Sequence, residues 1–308
     1  MKRSKTYQRL SPSFVLTGIA FTILLFGCGG DDGTSQPPPK RTTGQNLTYE
    51  WNGTSRSYHF YKPDNLPANA PLVMVLHGYD QDNNFPWDHY EMNDVADAEG
   101  FAVCYPLGSP TDGDTIHWNA NLTAGSVNDT QFLVDLADEL QEIHDLDPNR
   151  TFSCGMSNGG FMSYTLACDA AGTFRAIASV AGTMSGATWE NCDPSTPTSV
   201  LHIHGTADRV IPDDGDFESE HGFEGAPGVA TVVAWWADRN SCDPADTVMF
   251  TDNTTAFYYR NGTGGNEVWY LSTMNNGHRW PGQTFEPGND QAGYNASEVI
   301  WEFFDMFD

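Results

Sequence analysis

Residues 46–308 read as an α/β domain with a mostly parallel central sheet, an antiparallel hairpin at its start and helices on both faces. Three observations predict it. Short continuous apolar runs recur along the chain and alternate with segments of helical periodicity. The first two strand-like segments meet at Asn52-Gly53, a strong hairpin-turn signal. Finally, Gly155-Met156-Ser157-Asn158-Gly159 fits the G-x-S-x-G pattern that seats a serine on a sharp turn between a strand and a helix.

Taken from the N-terminus, residues 1–27 read as an export signal: Lys2, Arg3, Lys5 and Arg9 precede an apolar run, 14–26, too short to span a bilayer. The run ends in Leu25-Phe26-Gly27-Cys28, which resembles a bacterial lipobox. That resemblance implies that Cys28 is lipidated and becomes the mature N-terminus, with plain secretion as the alternative. Residues 28–45, with Pro37-Pro38-Pro39, read as a flexible tether. Beyond them, 47–51 and 56–62 are the hairpin strands. Segment 72–76 is apolar throughout, as a strand buried on both faces must be, and 101–105, 151–154, 176–180, 199–204 and 267–271 repeat the theme. The clearest helix starts at a cap near Asn128 or Asp129 and carries Phe132, Leu133, Leu136, Leu140 and Ile143 on one face. Phe161, Tyr164 and Leu166 suit a packed helix after the serine, and 228–237 and 294–307 read as two more.

The chain carries 14 Lys+Arg against 41 Asp+Glu, a net charge of −27, and four of the basic residues stand in the export signal. Such a surface repels nucleic acid and anionic lipid, so membrane contact is expected only through the N-terminal anchor. It suits an exterior medium in which salt screens self-repulsion. Export favours disulfides. Cys104 and Cys154 lie inside apolar runs and read as buried thiols, Cys168 and Cys192 flank the 176–180 strand as the best pair, and Cys242 is left over. No Cys-x-x-Cys occurs, which argues against structural zinc, and no metal or other cofactor is expected.

In a parallel sheet, sites form at the carboxyl ends of the strands. Ser157 is the candidate nucleophile at one such end. Leu76-His77-Gly78-Tyr79 follows the first central strand, where a backbone N–H is expected to serve an oxyanion hole; Tyr79 is the candidate donor, with Asn158, after the nucleophile, as the other. His77 reads as a structural histidine beneath that loop. Gly205-Thr206-Ala207-Asp208 puts Asp208 in the position of the triad acid, with Asp213, Asp214 and Asp216 as competitors that read as a solvated acidic loop. His202 and His204 alternate on the preceding strand and read as packed. His278 completes the order Ser…Asp…His; His221, the other histidine late enough in the chain, follows no strand.

These stretches resemble a known family. Gly155-Met156-Ser157-Asn158-Gly159-Gly160, Leu201-His202-Ile203-His204-Gly205-Thr206-Ala207-Asp208 and Gly277-His278-Arg279-Trp280-Pro281-Gly282 are similar to the polyhydroxybutyrate depolymerase-like esterases. These are α/β-hydrolases related to the feruloyl and acetylxylan esterases of carbohydrate esterase family 1. Trp118-Asn119 and Asp129 also match, and so does a frequent disulfide at Cys168 and Cys192. The resemblance implies an α/β-hydrolase fold and ester hydrolysis by Ser157, His278 and Asp208. The substrates implied are plant cell-wall feruloyl or acetyl esters, or hydroxyalkanoate oligomers. Trp118, Trp280 and Tyr79 are the aromatic residues expected around the acyl group. The chain departs from the family at Tyr79, where a cysteine is frequent, and in lacking a partner for Cys242. It reaches Asp308 without an added binding domain, which favours soluble or oligomeric esters over solid polyester. A depolymerase, a peptidase or thioesterase, and a non-catalytic surface binding protein on the same fold are the rival readings.

Overall fold

Leu72, Met74 and Leu76 pack into one core and Val73 and Val75 into another, so the run read as a central strand is covered on both faces. It forms β3 (Ala70–Leu76) in the computed structural model, which describes residues 44–110, 115–122, 127–215 and 223–307. The export signal at 1–27, Cys28, Asp216 and His221 lie outside the described residues.

The hairpin pairs β1 (Gly44–Trp51) with β2 (Thr54–Tyr61) through Asn52 and Gly53, both at positive φ, as a tight right-twisting turn requires. β1 begins at Gly44, inside the segment assigned to the tether. After β3 come α1 (Asn84–His89), α2 (Met92–Glu99) and β4 (Ala102–Pro106), then a two-residue ribbon of β5 (Ser109–Pro110) and β6 (Ile116–His117). α3 (Asp129–His144) leads into β7 (Leu146–Met156), α4 (Asn158–Asp169) and β8 (Ala176–Val180). α5 (Gly186–Asn191), β9 (Ser199–Gly205) and α6 (Val229–Arg239) follow, then β10 (Asp246–Met249), β11 (Thr254–Tyr259), β12 (Val268–Thr273) and α7 (Ala296–Phe304).

The main sheet runs β1-β2-β4-β3-β7-β8-β9-β12-β11-β10. Pairing is parallel from β4 through β12 and antiparallel at both flanks. α3, α4 and α6 cover one face, and α2 and α7 cover the other. This is the expected architecture with one addition. β10 and β11 extend the sheet antiparallel beyond β12, where no strand was expected. β10 is exposed along its whole length, so no burial alternation marks it.

α3 starts as its sequence implies, with Asn128 Oδ1 accepting from Gln131 N at 3.1 Å. Its apolar face ends differently: Ile143 is 59% exposed, and His144, stacked on Phe60, makes the last contact instead. The expected disulfide joins Cys168, at the end of α4, to Cys192, at the end of α5. Cys104 and Cys154 are buried thiols, and Cys242 is half-buried and free. Among the described residues, no helix is long and apolar enough to cross a membrane.

Candidate active site

The turn from β7 to α4 bends at a single residue. Ser157 sits at φ 53° and ψ −121°, held by its N–H donating to Val180 O at 2.9 Å. A non-glycine residue in that region stores backbone strain, and here the strain lifts the serine out of line with the strand. Its glycine neighbours have a steric reason. A Cβ on Gly159 would collide with Leu76 O, and one on Gly155 would meet Gly159, so bulk at either position would push the helix off the sheet. Asn158 opens α4, and its amide therefore has no acceptor within the helix.

Asp208 follows β9, and its side chain is fully buried. Oδ1 accepts from the N–H groups of Val210 at 2.8 Å and Ile211 at 2.9 Å, and Oδ2 accepts from His278 Nδ1–H at 2.8 Å. Burial pushes this carboxyl up, but the His278 hydrogen bond and charge together with the Ile211 N–H outweigh it and hold the group below the ordinary carboxylate value. A carboxylate on Nδ1–H leaves His278 Nε2 as the basic nitrogen. Ser157 Oγ has no hydrogen-bond partner among the described residues, so the Asp208–His278 link is the formed half of the constellation. Ser157, Asp208 and His278 all follow the carboxyl ends of interior parallel strands, β7, β9 and β12. Of the competing acids, Asp213 uses its backbone O to accept from Val229 N.

The loop after β3 is held by His77, which is fully buried. Gly108 N–H donates to His77 Nε2 at 2.9 Å, so the ring proton is on Nδ1, which donates to Gly78 O at 2.7 Å. Burial lowers the pKa of this imidazole from 6.5 to about 4, keeping it neutral. Gly78 N–H donates to Gln81 Oε1 at 2.9 Å. With Gly78 O turned towards His77, the planar trans peptide aims the Tyr79 N–H the opposite way.

Trp118 departs from its expected role at the acyl group. It is fully buried, and its indole N–H donates to His77 O at 3.1 Å. Its main chain is clasped by the Asn158 side chain: Trp118 N donates to Asn158 Oδ1 at 2.7 Å, and Asn158 Nδ2 donates to Trp118 O at 3.0 Å. Trp118 thus ties the loop of Tyr79 to the residue after Ser157. Trp280 is buried as well, stacked on Tyr90 at 4.2 Å with its N–H donating to Ser297 Oγ, which anchors the loop of His278 to α7. Neither indole has surface to offer a substrate. Tyr79 does: its half-buried ring lies 6.4 Å from Phe223, which packs on Phe161 of α4. Beside it, Asp80, Gln81, Asp82, Phe85 and Ile116 line a depression of ≈ 380 Å³.

Residues 56–213 match the family model described as Esterase PHB depolymerase, a span that includes Tyr79, Ser157 and Asp208 and stops short of His278. A bifunctional acetylxylan esterase/xylanase of Neocallimastix patriciarum is 33% identical over 56% of this chain, a match spanning 23% of that protein's length. A probable feruloyl esterase C of Aspergillus niger is 32% identical, covering 67% of this chain and 69% of its own. Among solved structures, an acetyl xylan esterase from Aspergillus awamori superposes with a TM-score of 0.64 at 16% identity. That alignment covers 86% of this chain and 100% of the other, and it shows a shared fold.

Proposed function

The chain belongs to the Esterase PHB depolymerase family, and from that premise we propose that it is a serine carboxylic-ester hydrolase working by two-step acyl transfer. The observation that carries the reading is the 2.8 Å Asp208–His278 hydrogen bond at the carboxyl ends of the strands, where Ser157 occupies its strained turn. His278 Nε2 takes the Ser157 proton as Oγ attacks the ester carbonyl, and Asp208 stabilises the imidazolium that forms. The amides of Tyr79 and Asn158 receive the oxyanion at the N-terminal end of α4, where the helix dipole favours negative charge. His278 then gives its proton to the departing alcohol, and water releases the acid by the reverse path.

Feruloyl or acetyl esters of plant cell-wall polysaccharide and short hydroxyalkanoate oligomers are the substrate classes that the relatives' names support. The Tyr79 ring and the adjoining depression, which sets Phe85 and Ile116 beside Asp80, Gln81 and Asp82, offer both apolar and polar contacts to an ester. The basic start, the apolar run and Cys28 support an exported protein with an N-terminal lipid, tested by fatty-acid labelling of the wild type against Cys28→Ser.

The functional test compares methyl ferulate, acetylated xylan and hydroxybutyrate oligomers with wild-type and Ser157→Ala protein. The wild type is expected to hydrolyse at least one class and to react with a fluorophosphonate, while Ser157→Ala loses on the order of 10⁴-fold or more in kcat. Full activity in Ser157→Ala would overturn the reading.

A further inference from the structure

Beside Asp208 runs a second line of polar groups that the acyl-transfer steps do not use. Tyr164 of α4 and His202 and His204 of β9 are buried. The Tyr164 hydroxyl lies 2.8 Å from His202 Nδ1, His202 Nε2 lies 3.1 Å from His204 Nδ1, and His204 Nε2 lies 2.8 Å from Ile211 O. The direction of this line follows from its last member. A carbonyl oxygen only accepts, so His204 carries its proton on Nε2 and its Nδ1 must accept. His202 therefore donates from Nε2, and its own Nδ1 accepts from the Tyr164 hydroxyl. Both imidazoles are neutral in this arrangement, and both are fixed as the Nε2–H tautomer.

The line ends at the turn that holds the acid. Ile211 receives the His204 proton on its carbonyl and donates its N–H to Asp208 Oδ1. The same His204 Nε2–H lies 3.6 Å from Asp208 Oδ2, the oxygen that bonds His278. Two ring systems inside a central strand are a costly way to fill space that aliphatic side chains fill without polar atoms. The oriented N–H at the end of the line is what they provide.

We propose that His204, held in one tautomer by His202 and Tyr164, is a positioning residue for Asp208. It braces the Asp208–Ile211 turn and presents the positive end of an N–H dipole to the carboxylate. The inference rests on the acyl-transfer reading of Ser157, Asp208 and His278.

The test uses the full chain with p-nitrophenyl acetate as substrate. His204→Phe is expected to lower kcat about tenfold, the scale of one hydrogen bond near a charged group, with KM unchanged. His204→Gln, whose amide N–H can reach Ile211 O, is expected to recover most of that loss. A folded His204→Phe protein with wild-type kcat would overturn the proposal. Should that variant fail to fold, the long-range ¹H–¹⁵N spectrum of the wild type decides. Both His202 and His204 are expected as Nε2–H tautomers, and the His202 resonances are expected to move in the near-isosteric Tyr164→Phe; an Nδ1–H tautomer at either position overturns the proposal. An inactive Ser157→Ala beside a fully active His204→Phe sinks this inference alone. A wild type inert to esters and fluorophosphonate sinks the esterase reading, and the spectrum still reports on the line.

Discussion

Trp118 shows how one buried side chain governs a site it never touches. Its indole N–H holds the His77 carbonyl and its main chain holds Asn158. Trp118→Phe should therefore leave that carbonyl unpaired, costing about 1–3 kcal/mol in denaturant unfolding. It should also lower kcat by about tenfold or more, with little change in KM, because the Tyr79 loop loses its tie to the segment whose main chain still clasps Asn158. His77 makes a second residue-scale prediction. Unfolding frees an imidazole that protonates at 6.5, whereas the folded ring stays neutral down to about 4. Between those values the unfolded chain binds the extra proton, so stability is full above pH 6.5 and falls as pH drops towards 4, by about 3 kcal/mol from this group. His202 and His204, also lowered by burial, act in the same direction. Urea midpoints at pH 7 and pH 4.5 check this, and an unchanged midpoint would contradict it. The strained turn at Ser157 and the Asp208–His278 pair were legible in the chain, because glycine flanks and order along the sequence can be read without the fold. The framework roles of Trp118 and Trp280 were not, because burial is a collective property and an aromatic residue beside a motif looks the same whether it lines a cleft or the core.

At the scale of elements, the hairpin is fastened to α3 by a buried ion pair. Arg56 of β2 donates to Asp129 Oδ1 at 2.8 Å and to Leu107 O, and lies over the Phe132 ring. Asp129 Oδ2 accepts from Asn119 N, next to Trp118. Removing either partner strands the other in the core, so Arg56→Met or Asp129→Asn alone should cost about 3–5 kcal/mol. The double variant Arg56→Met with Asp129→Leu should cost less than either alone, a comparison made with denaturant midpoints. The central strands were readable as uninterrupted apolar runs, since a strand covered on both faces admits little else. β10 and β11 were not. Asp246–Met249 is wholly exposed, and β11 buries Thr254, Ala256 and Tyr258 on alternate positions, a set too polar and too small to stand out as an apolar period.

For the molecule as a whole, 41 acidic groups against 14 basic ones mean that the compact state works against its own charge. Raising sodium chloride from 10 mM to 0.5 M at pH 7 should raise the melting temperature by a few degrees, about what 1 kcal/mol is worth for a domain of this size. A melting temperature that falls with salt would mean that attractive pairs dominate the surface.

The two hydrogen-bond systems that flank the proposed reaction centre have no residue in common. One runs from Gly108 through His77 and Trp118 to Asn158; the other runs from Tyr164 through His202, His204 and Ile211 to Asp208 and His278. Among the described residues no hydrogen bond joins them. Members of a triad act as a unit, so their individual losses merge. Framework residues on separate systems obey the opposite rule, and their free-energy costs add. A protein carrying Trp118→Phe and His204→Phe together should therefore show the product of the two single losses in kcat. On that expectation, a substitution that retunes one system leaves the contribution of the other intact.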